Sequence, residues 1–131
     1  MTSINLFVPD SAAALDFYAR AFGAVTVRAR IEGAKGERSA RFLIGEDRFA
    51  MADENPIYGA KSPLTLGGAP LCIQLFVDNV GEASRRALAA GGKVMAPGTA
   101  DNPIFTTEDG TECCNVGDPF GFVWSVSRER A

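Results

Sequence analysis

The stretch LFVDNVGEASRRALAAGGKV, Leu75 to Val94, repeats a pattern already met near the start of the chain, LFVPDSAAALDFYARAFGAV, Leu6 to Val25. Sliding one copy by 69 positions superposes Leu6-Phe7-Val8 on Leu75-Phe76-Val77, Ala14 on Ala83, Ala21 on Ala90, Gly23 on Gly92 and Val25 on Val94, with no gap. Each copy reads as strand, helix, strand. A Leu-Phe-Val run with β character leads into a residue that can cap a helix, Asp10 or Ser11 in the first copy and Asp78 or Asn79 in the second. In the first helix Leu15, Tyr18, Ala19 and Phe22 fall at helical spacing before Gly23, a C-terminal stop. The second helix runs to about Ala90 and ends at Gly91-Gly92. Such internal similarity is the mark of a duplicated unit.

Working outward, each copy is followed by more strands. Val25 to Ile31 and Ala40 to Ile44 flank a turn at Gly33 to Gly36, and Gly45-Glu46-Asp47 turns the chain into Arg48 to Ala52. The first half is thus βαβββ. In the second half Leu71 to Val77, the helix, Lys93 to Ala96, Thr111 to Val116 and Phe122 to Val126 form a matching set. Between the halves lies ENPIYGAKSPLTLGGAP, Glu54 to Pro70, rich in proline and glycine and without periodicity, which reads as a long loop. The expectation is one α+β domain, residues 1–131, made of modules at about 1–55 and 70–131. The stretch NVGDPFGFVW, Asn115 to Trp124, contains a tight turn into the last strand. Pro119 presets φ and Gly121 tolerates the reversal, so Asp118 is read as a turn former and not as a catalytic acid.

Composition excludes several functional classes. The chain of 131 residues is 47% hydrophobic and 22% charged, with no apolar run long enough for a membrane span. Thirteen basic against sixteen acidic residues give a net charge of -3, with no basic stripe for a nucleic acid. MTSINLFVPD has neither the basic start nor the apolar core of a signal peptide, so the expected location is the cytoplasm. Cys72, Cys113 and Cys114 have no zinc or disulfide spacing, and the adjacent Cys113 and Cys114 read as packing residues. Histidine is absent altogether. The chain therefore lacks the commonest ligand for zinc, nickel and iron and the usual general acid-base near neutral pH.

Four segments carry a resemblance to a known family: VPDSAAALDFYARAFGA at Val8 to Ala24, ADENPIYGAKSPLTLGGAP at Ala52 to Pro70, LFVDNV at Leu75 to Val80 and DPFGFVWSV at Asp118 to Val126. On these the chain resembles the vicinal oxygen chelate superfamily, the glyoxalase and bleomycin-resistance group, and within it the PhnB-like branch. The resemblance implies two βαβββ modules forming a curved mixed sheet around a cavity, in a homodimer. It also implies a metal site built from His and Glu on the first, fourth, fifth and last strands. Those places fall here on or near Ser3, Met51, Cys72 and Ser125, which supply no ordinary set of hard ligands. PhnB-like relatives carry histidines at three further places, where Ser39, Gln74 and Phe122 stand here. No metal and no cofactor are expected.

Strand parity then gives a pocket-facing set of Ser3, Asn5, Phe7, Arg41, Cys72, Gln74 and Ser125, with Phe122 on the opposite face beside Trp124. Arg41 suits a carboxylate or phosphate, or else a surface ion pair with Glu37 or Asp47. Tyr58 and Lys61 lie in the 54–70 loop, either as a lid or as part of a linker. The leading expectation is a metal-independent protein that binds a small, anionic or aromatic molecule. The alternatives are a lyase, isomerase or dioxygenase of this superfamily with a non-standard or metal-free mechanism, and a dimerising paralogue with a decayed pocket.

Overall fold

A computed structural model describes residues 1–128. The elements are β1 (Ile4–Val8), α1 (Ser11–Phe22), β2 (Val25–Arg30), β3 (Ser39–Ile44), β4 (Asp47–Asp53), a 3-10 turn (Pro56–Tyr58), α2 (Pro63–Leu66), β5 (Cys72–Phe76), α3 (Val80–Ala89), β6 (Lys93–Met95), β7 (Phe105–Thr106), β8 (Glu112–Gly117) and β9 (Val123–Arg128). The architecture is mixed α+β. The chain divides into two compact units, Met1–Gly68 and Ala69–Ala131. The sheet of the first has the strand order β1-β4-β3-β2 and that of the second β5-β9-β8-β6, with two-residue β7 paired to β8. In both, the first strand lies parallel to the last, and the remaining neighbours are antiparallel. The duplication read from the sequence is thus a duplication of topology.

In the first unit, Asp10 caps α1, its carboxylate accepting from the amides of Ala12 and Ala13 at 3.0 and 3.1 Å, and Gly23 closes the helix at φ 71°. One stripe of α1, including Ala14, Tyr18 and Ala21, is buried, as are Leu6, Val8, Phe42, Ile44, Phe49 and Met51 from the strands. Tyr18 stacks on Phe42 at 5.7 Å between ring centroids, and Phe42 on Phe49 at 5.4 Å. Each such buried side chain contributes about 1.5–3 kcal/mol relative to exposure. The loop after β4 is more structured than composition suggests. Ser62 caps α2 with Pro63 in the first turn, and Gly67 ends it at φ 85°. Glu54 accepts from the Thr65 hydroxyl at 2.6 Å and from the Ser62 amide and hydroxyl at 3.1 Å each. These bonds hold its carboxyl below the ordinary value.

A second carboxylate organises the unit's edge. Asp53, 5% exposed, accepts from the Ser11 amide at 2.7 Å, the Gly36 amide at 2.8 Å and the Arg38 Nε at 3.0 Å. Burial pushes this carboxyl up, but the Gly36 and Ser11 amides, the Arg38 guanidinium and the Ser11 hydroxyl together outweigh it and bring it below 3.8. Arg38 also reaches Asp10 at 3.3 Å. One side chain therefore ties the start of α1 and the β2–β3 connection to the end of β4.

In the second unit, Asn79 caps α3 through the Glu82 amide at 3.0 Å. Val80, Ser84 and Ala87 of α3 are buried, together with Ile73, Leu75, Cys114, Val116, Trp124 and Val126 of the strands. The glycines in register do different work. Gly23 supplies a left-handed cap, whereas in the second copy the positive φ belongs to Gly91. Gly92 instead makes room: a Cβ there would lie 2.5 Å from Val116 Cγ1 and 3.0 Å from the Ala87 carbonyl oxygen. The Asp-Pro-Phe-Gly segment is a turn between β8 and β9. The Gly121 amide donates to the Asp118 carbonyl at 3.2 Å, and Gly121 has φ 93°. The Asp118 carboxylate accepts from the amides of Phe120 and Phe122 and from Trp124 Nε1, each at 2.9 Å. Asp118 is thereby committed to the turn, and Phe122 and Trp124 are buried in the core. Among the described residues no helix is long and apolar enough to cross a membrane.

Candidate functional site

Each sheet has a face turned away from its helix, and the side chains on that face are set by strand register. In the first unit, Asn5 lies opposite Ala50 and Phe7 opposite Ala52 across β1 and β4. Across β4 and β3, Ala50 faces Arg41 and Arg48 faces Leu43. Alternation puts Asn5, Phe7, Arg41, Leu43, Arg48, Ala50 and Ala52 together on the open face. Ser3, Asn5, Arg41, Arg48 and Ala50 share a depression of about 640 Å3 with Val27. An adjoining depression of about 580 Å3 is lined by Asn5, Arg28, Arg30, Ser39, Arg41 and Ala50 among others. Three expected site residues, Ser3, Asn5 and Arg41, are thus brought together, and Phe7 shares their face. Arg41 makes no ion pair with Glu37 or Asp47.

Met51 does not join them. It is 1% exposed and lies on the helix side of β4 with Phe49 and Asp53. The reason is register: Asn5 pairs with Ala50 just as its repeat counterpart Gln74 pairs with Ser125. The position on β4 corresponding to Ser125 is therefore Ala50, one residue from Met51, and a one-residue step reverses the face. The open face of β4 offers the methyl groups of Ala50 and Ala52 where a metal site would need donor atoms. The sequence reading also passed over Arg28, Arg30 and Arg48. The period-two spacing in VTVRAR held the signal for the first two, but their face depends on a bulge between Thr26 and Arg28.

In the second unit Cys72, Gln74, Ser125 and Ser127 occupy the open face. Gln74 Nε2 donates to Ser127 Oγ at 3.3 Å, Ser125 Oγ and Ser127 Oγ are 3.2 Å apart, and Ser127 Oγ donates to Cys113 Sγ at 3.4 Å. Gln74 and Cys113 line a depression of about 330 Å3 with Glu108, Asp109 and Thr111. Gln74 and Ser125 are thus linked through Ser127, and Cys72 is exposed on the same face. All three cysteines are free. Asp109 is held below its ordinary value, chiefly by the Thr107 hydroxyl and then by the Thr111 hydroxyl and amide. Tyr58, 84% exposed on the 3-10 turn, lines none of these three depressions.

The donor set does not fit the metal site that the fold family implies. Ser3 and Cys72 are single weak or soft donors on separate units, Met51 faces the core, and Ser125 is hydrogen-bonded to Ser127. Among the described residues, no group of three or more His, Cys, Asp or Glu side chains is arranged to hold an ion. What the two faces can do is donate hydrogen bonds: guanidinium groups and an amide from the first, amide and hydroxyl groups from the second.

The chain is 35% identical over 130 residues to the uncharacterized protein Mb0911c of Mycobacterium bovis, covering 96% of this chain and 81% of that protein. It is equally similar to the uncharacterized protein Rv0887c of Mycobacterium tuberculosis, with 96% and 72% covered. Among solved structures, FosX, a genomically encoded fosfomycin resistance protein from Listeria monocytogenes, superposes with a TM-score of 0.72 at 14% identity, covering 99% of this chain and 93% of that one. TioX from Micromonospora sp. ML1 gives 0.69 at 20% identity, covering 100% and 97%. These structures establish likeness of fold. A family model for the Glyoxalase/Bleomycin resistance protein/Dioxygenase superfamily matches residues 1–126, and the chain belongs to that superfamily.

Proposed function

We propose that this protein is a cytoplasmic small-molecule-binding member of the superfamily, which holds its ligand by hydrogen bonds and charge without the His and Glu metal site. The observation that carries this reading is the donor inventory: the family's ligand places fall on or near Ser3, Met51, Cys72 and Ser125, Met51 turns its side chain into the core, and Ala50 beside it on the open face offers only a methyl group. The open faces keep the other half of a binding site, concave depressions with a few polar groups projecting into them. The expected ligand-binding residues are Asn5, Phe7 and Arg41 in the first unit and Cys72, Gln74 and Ser125 in the second. Tyr58 belongs to the reading as a contact from the 54–70 segment, which also carries the PhnB-like resemblance. Association into a homodimer completes it, supported by exposed apolar side chains on edge strands, among them Val25 and Val27 at 63% and Phe76 at 54%.

A thermal-shift screen of small molecules tests the reading. A ligand at 100 times its dissociation constant adds about 2.7 kcal/mol of stability. A ligand shift that Gln74→Ala or Asn5→Ala reduces supports the assignment. A stoichiometric transition metal in protein purified without a tag, with activity lost on its removal, overturns it. Light scattering that shows a monomer at micromolar concentration removes the dimer.

A further inference from the structure

The open face of the first unit carries four arginines, Arg28, Arg30, Arg41 and Arg48, in one contiguous array. Across β2 and β3, Arg28 stands directly opposite Arg41, and Arg30 stands opposite Ser39. Across β3 and β4, Arg41 faces Ala50, and Arg48 is two residues before Ala50 on the same face. Arg41 and Arg48 line one of the two depressions, Arg28, Arg30 and Arg41 the other, and Arg41, Asn5 and Ala50 are common to both. No carboxylate of a described residue lines either depression. Glu32 and Glu37 share a separate depression with Arg30 and form no ion pair with it. None of the four guanidinium groups has an ion pair or hydrogen bond with a described residue.

This arrangement is costly without a guest. Directly opposed residues of an antiparallel pair have Cβ atoms about 4.5–5.5 Å apart, and like charges so placed repel. The chain as a whole is acidic, with a net charge of -3, so the concentration of unpaired positive charge on this face is local. Ala50 and Ala52 keep the floor low, leaving the guanidinium groups free to converge from the sides. Planar guanidinium groups match carboxylate and phosphate oxygens bidentately, and Asn5 adds an amide donor. We infer that the open face of the β1-β4-β3-β2 sheet binds a small organic polyanion, one bearing at least two carboxylate or phosphate groups, through Arg28, Arg30, Arg41 and Arg48. The inference rests on the binding reading above and names the chemical class of its ligand. A small dianion suits the site better than a nucleic acid, because the negative remainder of the chain repels a polymer of phosphates but not a guest confined to the array.

The experiment titrates the protein with propionate, succinate, tricarballylate and inorganic phosphate at constant ionic strength, by calorimetry and thermal shift, and repeats the series with Arg28→Ala, Arg41→Ala and, as a control on α3, Arg85→Ala. Succinate and tricarballylate are expected to raise the melting temperature, and propionate and inorganic phosphate, each with a single anionic group, to leave it nearly unchanged. Arg28→Ala and Arg41→Ala each weaken polyanion binding roughly tenfold, the scale of one lost charged hydrogen bond, while Arg85→Ala has no effect. The unliganded Arg28→Ala and Arg41→Ala proteins melt no lower than the parent, which separates a lost ligand contact from a damaged fold. If neutral or aromatic molecules stabilise the protein and none of the polyanions does, the inference fails and the binding reading stands. If nothing in either series binds, both fail. Polyanion binding that survives both substitutions overturns the arginine array as the site. So does a short DNA duplex that displaces tricarballylate, or a dimer that dissociates on Arg28→Ala with no response to polyanions.

Discussion

The two sheets share a strand order and differ in what their open faces do with their polar groups. In the second unit Gln74, Ser125, Ser127 and Cys113 bond to one another, so the face is internally closed and neutral at its centre. In the first unit the counterparts of Gln74 and Ser125 are Asn5 and Ala50, and the face is instead dominated by guanidinium groups beside them that find no partner among the described residues. The helix-facing sides invert the contrast. There the first unit places a carboxylate, Asp53, in a charged network with Arg38, while the second uses Asp118 to hold two backbone amides and an indole. Duplication preserved the topology and let the two open faces diverge, one carrying positive charge and the other neutral hydrogen-bonding groups.

The sharpest way to break the comparison is at the buried carboxylates. Asp53→Ala leaves Arg38 with Asp10 as its remaining ion-pair partner and unpins both α1 and the β2–β3 connection, and is expected to cost about 3 kcal/mol in urea denaturation. Because the folded carboxyl sits below 3.8, its contribution is fully present above that pH and fades as pH falls below it through the lower folded value. Asp53→Asn should accordingly flatten the acid limb of the stability profile between pH 5 and pH 2, on the order of the range over which a depressed aspartate titrates. Asp118→Ala leaves Trp124 Nε1 and two amides without their acceptor and should cost about 2 kcal/mol, with no dependence on Arg38 in a double-mutant cycle.

The in-register glycines sharpen the comparison further. Gly92→Ala forces a Cβ against Val116 and the Ala87 carbonyl and is expected to destabilise by about 2 kcal/mol. Gly23→Ala forces an alanine into a left-handed conformation, at a cost of about 1 kcal/mol. Equal effects in calorimetric melts would mean that the two positions do the same work. The smallest change concerns the array: Arg28→Ala removes a like-charge pair and should stabilise the unliganded protein by less than about 1 kcal/mol, more at low salt than at high.

Most of the frame was legible because local signals agreed with one another. Asp10, Gly23 and Asn79 announce helix ends in any context, and the slide of 69 residues exposes the repeated unit. The α2 turn was marked by Ser62, Pro63 and Gly67, signals that the surrounding prolines and glycines concealed. Two-residue β7 is too short to leave a periodic trace. The open faces were legible wherever a strand's parity could be anchored, as for Asn5, Arg41, Gln74 and Ser125. Met51 eluded that reading because hairpin register is a tertiary property, and a single step at the turn exchanges core for surface. Arg28 and Arg30 eluded it for the same reason, since only the bulge in β2 fixes which way they point.

The burial of Trp124 beneath Asp118 has an optical corollary. It is the only tryptophan, and both tyrosines, Tyr18 and Tyr58, belong to the other unit. Indole emission therefore watches one half of the molecule and phenol emission the other, so a spectrometer can follow each module through a denaturation curve without any introduced label.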